Sequence, residues 1–282
     1  MKENETGTGI NGPTPIQSAP HHSSLSTHHS SLITHHSLEV LVCTVADARA
    51  AAAGGASRLE VVREAAMGGL SPALATVAAI QAAVRLPLRV MVRPTPAFRV
   101  TAETVDAMAG EARALQRLGV EGIVLGMLCD IPGAEDSGAV TAVDLRALQR
   151  VLAAAPDLRA TFHRACEELS DPVTALSELG SCPQVDRVLM SLSNGAGKWE
   201  EGVAKLARYA TAAPALTWIV GGGLRRGELA PLARAAIAQG LALVFHVGTA
   251  AREPAKPEAK VSAAKVAALV EELSSSLSAP RE

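Results

Sequence analysis

From residue 38 onward, short apolar segments alternate with longer segments that have helical periodicity. The apolar segments are 38–44, 57–62, 86–93, 121–127, 158–163, 185–191, 216–223 and 241–246. Short runs rich in Val, Leu and Ile are typical of parallel strands that are buried on both faces. Eight strand-then-helix units within residues 38–282 predict a (β/α)8 TIM barrel of the α/β class, with a doubly wound sheet as the alternative.

Capping residues predict where several helices begin and end. Thr101 is expected to cap a helix that ends at Gly119, and the pairs Ser71-Pro72 and Asp171-Pro172 each combine an N-cap with proline at the first helical position. Segments 141–155 and 199–212 are predicted to be helical, and a last helix is predicted from about Ser262. Left-handed C-caps are predicted at Gly55, Gly119, Gly180 and Gly240.

Residues 1–37 have a different composition from the rest of the chain. They are rich in Ser, Thr, Gly and Pro, and a seven-residue repeat places histidine pairs at 21–22, 28–29 and 35–36. Such a segment buries too little apolar surface to offset the entropy cost of ordering. We therefore expect a disordered low-complexity extension before a single barrel domain over residues 38–276, the alternative being a metal-catching tail.

Composition excludes several classes of protein. Aromatic residues make up only 2% of a chain that is 48% hydrophobic, so the core must consist of Ala, Val, Leu and Ile. The net charge of -2 and the lack of a long basic run argue against a nucleic-acid partner. No segment has the roughly 18–20 consecutive apolar residues of a membrane span. Four cysteines without CxxC spacing, and no signal-peptide pattern, predict a reduced cytoplasmic protein.

Polar residues recur at the ends of the predicted strands, where TIM barrels carry their active sites. His163 and Arg164 follow the fifth strand, and His246, the only other histidine after residue 36, ends the eighth. Strand parity points Glu39 and Glu60 towards the barrel interior. Arg93 and Ser191 end the third and sixth strands. The side chains of His163, His246, Glu60 and Arg93 are therefore expected to converge at one mouth of the barrel.

Three interpretations of this set remain open. In the first, His163, Glu60 and Arg93 are catalytic, while a small anionic ligand is bound by Glu39, Arg164, Ser191 and the backbone of Gly222, Gly223 and Gly248. In the second, His163, His246 and Cys43 bind a metal ion. In the third, the charges form an internal salt-bridge network in which Arg93 or Arg164 neutralises the glutamates.

The sequence also resembles the copper homeostasis protein CutC family, from about Leu38 to Ala250. The matching blocks, in order, are LEV at 38–40, GGASRLEVV at 54–62, GGLSPAL at 68–74, VMVRP at 90–94, TFHRA at 161–165, RVLMS at 187–191, GGGL at 221–224 and FH at 245–246. This resemblance implies a TIM barrel, a cytoplasmic role in copper homeostasis with copper as the bound ion, and a homo-oligomer. It implies no established catalytic reaction.

Two departures from the family pattern concern its soft copper ligands. Where the family has cysteines after the first-strand glutamate and at the end of the second-strand block, this chain has Leu41 and Val62. The family segment R-P-R-G-G-D-F is replaced by the shorter segment 93–98. The sequence thus predicts a CutC-like copper homeostasis protein that binds copper, the alternative being an enzyme that acts on a small anionic molecule, phosphorylated or not, at the C-terminal rim of the barrel.

Overall fold

The computed structural model describes Met1 and residues 37–133, 138–192 and 199–277. The strands are β1 (Ser37–Val42), β2 (Arg58–Val61), β3 (Leu88–Met91), β4 (Gly122–Leu125), β5 (Leu128–Pro132), β6 (Ala139–Val143), β7 (Arg159–Phe162), β8 (Val185–Ser191), β9 (Thr217–Gly221), β10 (Leu243–Val247), β11 (Arg252–Glu253) and β12 (Lys260–Val261). The helices are α1 (Val45–Ala53), α2 (Leu74–Ala83), α3 (Ala102–Leu118), α4 (Leu145–Ala153), α5 (Pro172–Gly180), α6 (Trp199–Ala212), α7 (Leu229–Ala238) and α8 (Ala263–Leu277).

Eight parallel strands close into a barrel in the order β1-β10-β9-β8-β7-β4-β3-β2. All eight predicted strands are present, and the predicted (β/α)8 barrel is confirmed. The predicted N-terminal extension and its histidine repeat lie outside the described residues, apart from Met1 and from Ser37, which begins β1. None of the described helices is long and apolar enough to cross a membrane.

Most helix boundaries agree with the capping residues. The Thr101 side chain accepts a hydrogen bond from the Thr104 amide at the start of α3. Asp171 caps α5 in the same way, with Pro172 at the first helical position. Gly55, Gly119 and Gly240 have positive φ angles after their helices, as predicted. Gly180 was wrongly predicted to be a left-handed cap, because α5 continues through it and ends at Ser181 in the right-handed region.

Two further predictions of helix position were wrong. Ser71 does not cap α2, which begins three residues later; its hydroxyl donates to Glu111 (2.6 Å) and accepts from the Arg93 amide (2.7 Å). The predicted helix over 141–155 begins only at Leu145. Residues 139–143 instead form β6, which pairs antiparallel with β5. The Val and Thr residues of this segment suit a strand, and Asp144 then caps α4 by accepting from the Ala147 amide.

The interior of the barrel is unusually polar at the amino ends of its strands. Arg89 on β3 is fully buried and makes a bidentate ion pair with Asp186, at 2.7 and 2.9 Å, and a longer contact with Glu121. Arg58 and Arg187 also contact Glu121, at 2.8 and 3.5 Å. Branched aliphatic residues usually fill this part of a TIM barrel. Here charged residues fill it, and on β2 the next residue of the same parity after Arg58 is Glu60, which belongs to the predicted site.

Candidate functional site

A cavity of about 550 Å³ lies at the carboxyl ends of the barrel strands. Eight residues of the predicted site line it: Glu60, Arg93, His163, Arg164, Gly222, Gly223, His246 and Gly248. The four side chains that were expected to converge, those of His163, His246, Glu60 and Arg93, are among them. Glu39 lies behind His246, while Ser191 lines a separate cavity of about 390 Å³ on the other side of Arg164 and Glu167.

Glu39, Glu60 and His246 form a compact buried cluster on three adjacent strands. Glu39 and His246 are partners in the register between β1 and β10, which closes the barrel. Nδ1 of His246 lies 2.9 Å from Glu39 Oε1 and 3.2 Å from Glu60 Oε2. Both glutamates are only 2% exposed, and Glu39 Oε2 has no hydrogen-bond partner among the described residues. The two carboxylates therefore share one imidazole.

The protonation of these three groups follows from their burial and mutual charge. Burial raises the pKa of Glu60 to about 7, against the opposing effect of the His246 charge. Burial also opposes ionisation of Glu39, but the hydrogen bond and charge of His246 outweigh it and lower the Glu39 pKa. For His246, the glutamate charges outweigh the effect of burial and raise the pKa. These opposite shifts favour an ion pair between an ionised Glu39 and a protonated His246.

This cluster can also hold a metal ion. One carboxylate oxygen from each glutamate and one ring nitrogen of His246 lie within 4.8 Å of one another. Carboxylate oxygen and imidazole nitrogen are common ligands of divalent metals, including Cu²⁺, whereas thiolate and thioether ligands select Cu⁺. Among the described residues, this is the only group of three or more His, Cys, Asp or Glu side chains that meets this distance. The donor set therefore fits a divalent cation.

His163 lies at the cavity wall but is held in a different way. Its Nδ1 accepts a hydrogen bond from the Ala165 amide (3.2 Å), and its ring packs 5.1 Å from that of Phe98. A Cβ atom at position 126 would overlap the imidazole, so Gly126 is needed for this arrangement. Burial and the nearby charge of Arg93 lower the pKa of His163 to about 3, which keeps the ring neutral at physiological pH.

The predicted ligand set of His163, His246 and Cys43 is not brought together. The Nδ1 atom of His163 is already occupied by the Ala165 amide. The thiol of Cys43 lies outside the cavity lining, 4.0 Å from Arg252, and burial raises its pKa. Leu41 lines the cavity, while Val62 packs in a small apolar cluster with Met91 and Val124. Neither family cysteine position therefore offers a sulfur atom here.

Neither arginine neutralises the glutamates as the salt-bridge interpretation expected. The guanidinium of Arg93 donates to the carbonyl oxygens of Gly69 (3.1 Å), Met67 (3.3 Å) and Pro96, and it stacks over the ring of Phe98. Arg164 instead forms a bidentate pair with Glu167, at 2.7 and 2.8 Å. Arg93 thus remains without a carboxylate partner among the described residues.

The glycines at the mouth keep space free beside the cavity. Gly222 and Gly223 have φ angles of 85° and 92°, which favour glycine, and a Cβ at position 222 would lie 2.6 Å from the Ser191 side chain. The Ser191 amide donates to Glu167 (2.8 Å), so Ser191 takes part in the wall between the two cavities. The roles predicted for Gly222, Gly223, Gly248 and Ser191 in anion binding remain predictions.

Sequence reasoning missed which side chains pair with one another. It did not predict the contact between Glu39 and His246, although barrel closure places the last strand beside the first. It also missed Glu167, the partner of Arg164, and Phe98, which packs on both Arg93 and His163. The contact between Glu39 and His246 could have been predicted by combining strand parity with the pairing of the first and last strands that closes the barrel.

Comparison with known proteins agrees with this architecture. The CutC family model matches residues 36–247. A CutC family protein of Xylella fastidiosa strain Temecula1 is 34% identical over 197 residues, which cover 69% of each chain. Another, of Klebsiella pneumoniae strain 342, is 31% identical over 201 residues, or 71% of this chain and 76% of its own.

Among solved structures, the copper homeostasis protein CutC of Streptococcus agalactiae superposes with a TM-score of 0.64. The match is 19% identical and covers 75% of this chain and 98% of that protein, so it shows a shared fold. Because the family model matches most of the chain and curated relatives exceed 30% identity over two thirds of it, this chain belongs to the CutC family.

Proposed function

We propose that this protein acts in copper homeostasis and that its barrel binds a copper ion through Glu39, Glu60 and His246. The observation that carries the proposal is the approach of three ligand atoms to within 4.8 Å in a buried pocket next to a cavity. Copper is what the resemblance to the CutC family implies, and the name of the Streptococcus agalactiae relative includes copper homeostasis. A cytoplasmic location fits the four free cysteines.

The donor set favours the divalent state of copper. Two carboxylates and one imidazole are harder ligands than the thiolates that suit Cu⁺. Because ligands must be deprotonated, binding of the ion would release any proton that His246 or Glu60 carries. Three protein ligands also leave coordination positions open on the cavity side.

The test is a titration with Cu²⁺ of the full chain in which the six histidines at 21, 22, 28, 29, 35 and 36 are replaced by serine. Without this replacement, metal bound by the histidine repeat would be measured together with metal bound by the barrel. We expect one equivalent of tightly bound Cu²⁺, weakened at least ~100-fold by Glu60→Gln or by His246→Gln, since each removes one of three ligands.

The matched control is Glu168→Gln, which also removes a carboxylate from the cavity wall. Glu168 is half exposed and pairs with Arg99 at 3.4 Å, away from the three ligands. Its substitution should leave Cu²⁺ affinity within about threefold of the parent. Equal affinity in the parent and in both ligand variants would rule out the proposed copper site.

A second candidate function is favoured by the size of the cavity. A volume of about 550 Å³ exceeds what a single ion needs, and the wall carries the guanidinium of Arg93, which has no carboxylate partner among the described residues. These features support an enzyme that acts on a small anionic molecule, the alternative raised by the sequence. In that case phosphorylated metabolites should raise the melting temperature without added copper, and an Arg93→Met variant should lose the effect.

A further inference from the structure

The charged groups in and above the barrel interior offer no surplus of negative charge to compensate a metal ion. Four guanidinium groups, those of Arg58, Arg89, Arg93 and Arg187, are buried or partly buried there. Four carboxylates lie among them: Glu39, Glu60, Glu121 and Asp186. With His246 neutral, as a metal ligand must be, these described groups have a net charge of zero. A divalent ion would therefore leave two uncompensated positive charges in a poorly solvated region.

Uncompensated charge in a protein interior is costly, by several kcal/mol for each ion. The other charged residues around the cavity offset little of it, because they pair with one another where solvent reaches and screens their charges. Arg164 pairs with Glu167, and Arg99 pairs with Glu168 and Asp130. An anion from outside the protein would offset part of this charge and complete the coordination of the ion.

The cavity has the room and the polarity for such an anion. A water molecule occupies about 30 Å³ of liquid, so a cavity of about 550 Å³ can take an organic molecule of several non-hydrogen atoms. Part of its wall is apolar, formed by Leu41, Met91, Phe98 and Leu189. The ligand cluster lies on β1, β2 and β10, whereas Arg93 and His163 follow β3 and β7.

Arg93 and His163 each contain a buried donor without an acceptor among the described residues: Nε of Arg93 and Nε2 of His163. Since Nδ1 of His163 accepts from the Ala165 amide, the proton of the neutral ring is on Nε2. The cavity is therefore polarised. Its carboxylate side suits a cation, and its guanidinium side suits an anionic oxygen.

We propose that the cavity takes the copper ion together with a small organic carboxylate, such as a 2-hydroxy acid. One end of this molecule completes the coordination of the ion held by Glu39, Glu60 and His246, and its carboxylate lies towards Arg93. This inference rests on the proposed copper function and names the form in which the metal is bound. It assigns to Arg93 a role in anion binding that is separate from metal ligation.

The experiment measures Cu²⁺ affinity by calorimetry on the full chain with the six tail histidines replaced, with and without saturating lactate. Propane-1,2-diol, which has the same carbon skeleton and no carboxylate, is the neutral control. We expect lactate to strengthen Cu²⁺ binding by about tenfold or more, a typical coupling between two sites. Chelation of free copper by lactate acts in the opposite direction, so a gain in affinity identifies the ternary complex.

The variant Arg93→Met should lose the lactate effect, measured as the ratio of its own Cu²⁺ affinities with and without lactate, and Arg93→Lys, which keeps the charge, should retain much of it. The lysine variant also serves if Arg93→Met fails to fold, because Arg93 anchors the loop at Met67 and Gly69. In Arg93→Lys the lactate effect should be smaller than in the parent, since an ammonium group lacks the planar set of guanidinium donors.

The outcomes separate the two proposals. No Cu²⁺ binding by the parent chain would overturn the copper function itself. Cu²⁺ binding that lactate leaves unchanged, or that propane-1,2-diol strengthens equally, would overturn the ternary complex alone. An equal lactate effect in the parent and in the Arg93 variants would remove Arg93 from the anion site.

Discussion

His246 Nδ1 lies 2.9 Å from Glu39 Oε1, across the pair of strands that closes the barrel. The two residues are 207 positions apart in the chain and are direct partners in the register between β1 and β10. Glu60 reaches the same nitrogen from β2, the next strand. The donor cluster is therefore assembled only when the first and last strands of the barrel have paired.

The first prediction concerns Glu39. In the parent chain with its tail histidines replaced, Cu²⁺ at 100 times its dissociation constant should stabilise the fold by about 2.7 kcal/mol. Glu39→Gln should abolish most of this gain, because an amide oxygen supplies no charge. Chemical denaturation with and without Cu²⁺ measures the difference. A gain of the same size in this variant would contradict the assignment of Glu39 as a ligand.

The second prediction concerns the pH dependence of stability through His163. Burial and the Arg93 charge lower its pKa to about 3 in the folded state, from 6.5 for a histidine exposed to water. The unfolded chain thus binds a proton that the native protein does not, and the stability present above pH 6.5 is lost as the pH falls towards 3. From pH 7.5 to pH 5 this one group should cost about 2 kcal/mol.

Comparison with His163→Gln isolates this contribution, because the other titrating groups are common to both proteins. Urea denaturation at pH 7.5, 6 and 5 should show a smaller loss of stability in the variant than in the parent. Parallel losses over this range would mean that His163 can take up a proton in the folded state.

The third prediction concerns the buried network below the site. Arg89→Met should destabilise the fold by about 3–5 kcal/mol, because it leaves the carboxylates of Asp186 and Glu121 without their buried partner. The same substitution at Arg150, an exposed residue that pairs with Asp106, should cost at most about 1 kcal/mol. Similar losses in the two variants would show that the network contributes no more than a surface pair.

The fourth prediction compares two glycines. Gly126→Ala would force a methyl group into the imidazole of His163 and should cost about 1–3 kcal/mol. Gly110→Ala, at an exposed position within α3 with nothing within 4 Å of the added Cβ, should stabilise the protein by about 0.5–1 kcal/mol. Thermal unfolding of both variants checks the opposite signs, and a neutral Gly126→Ala would mean that His163 is free to move.

The sequence by itself determined the barrel fold and the position of the candidate site at the carboxyl ends of its strands. Eight apolar runs separated by capped helices are a local property of the chain, since strand length, side-chain alternation and helix caps depend on near neighbours. The same local logic placed His163, Arg93 and His246 at strand ends and turned Glu39 and Glu60 inward. It failed at residues 139–143 because a short stretch of Ala, Val and Thr becomes a strand only when β5 is available as its partner.

Only the tertiary structure decided which charges meet. His163 and His246 occupy equivalent places in the sequence pattern, yet one is neutral beside Gly126 and Phe98, and the other is held between two carboxylates. Arg93 and Arg164 were equally plausible partners for the glutamates and contact neither. The physical reason is that ion pairing and desolvation depend on distances of a few ångströms between strands far apart in the chain, which barrel closure sets.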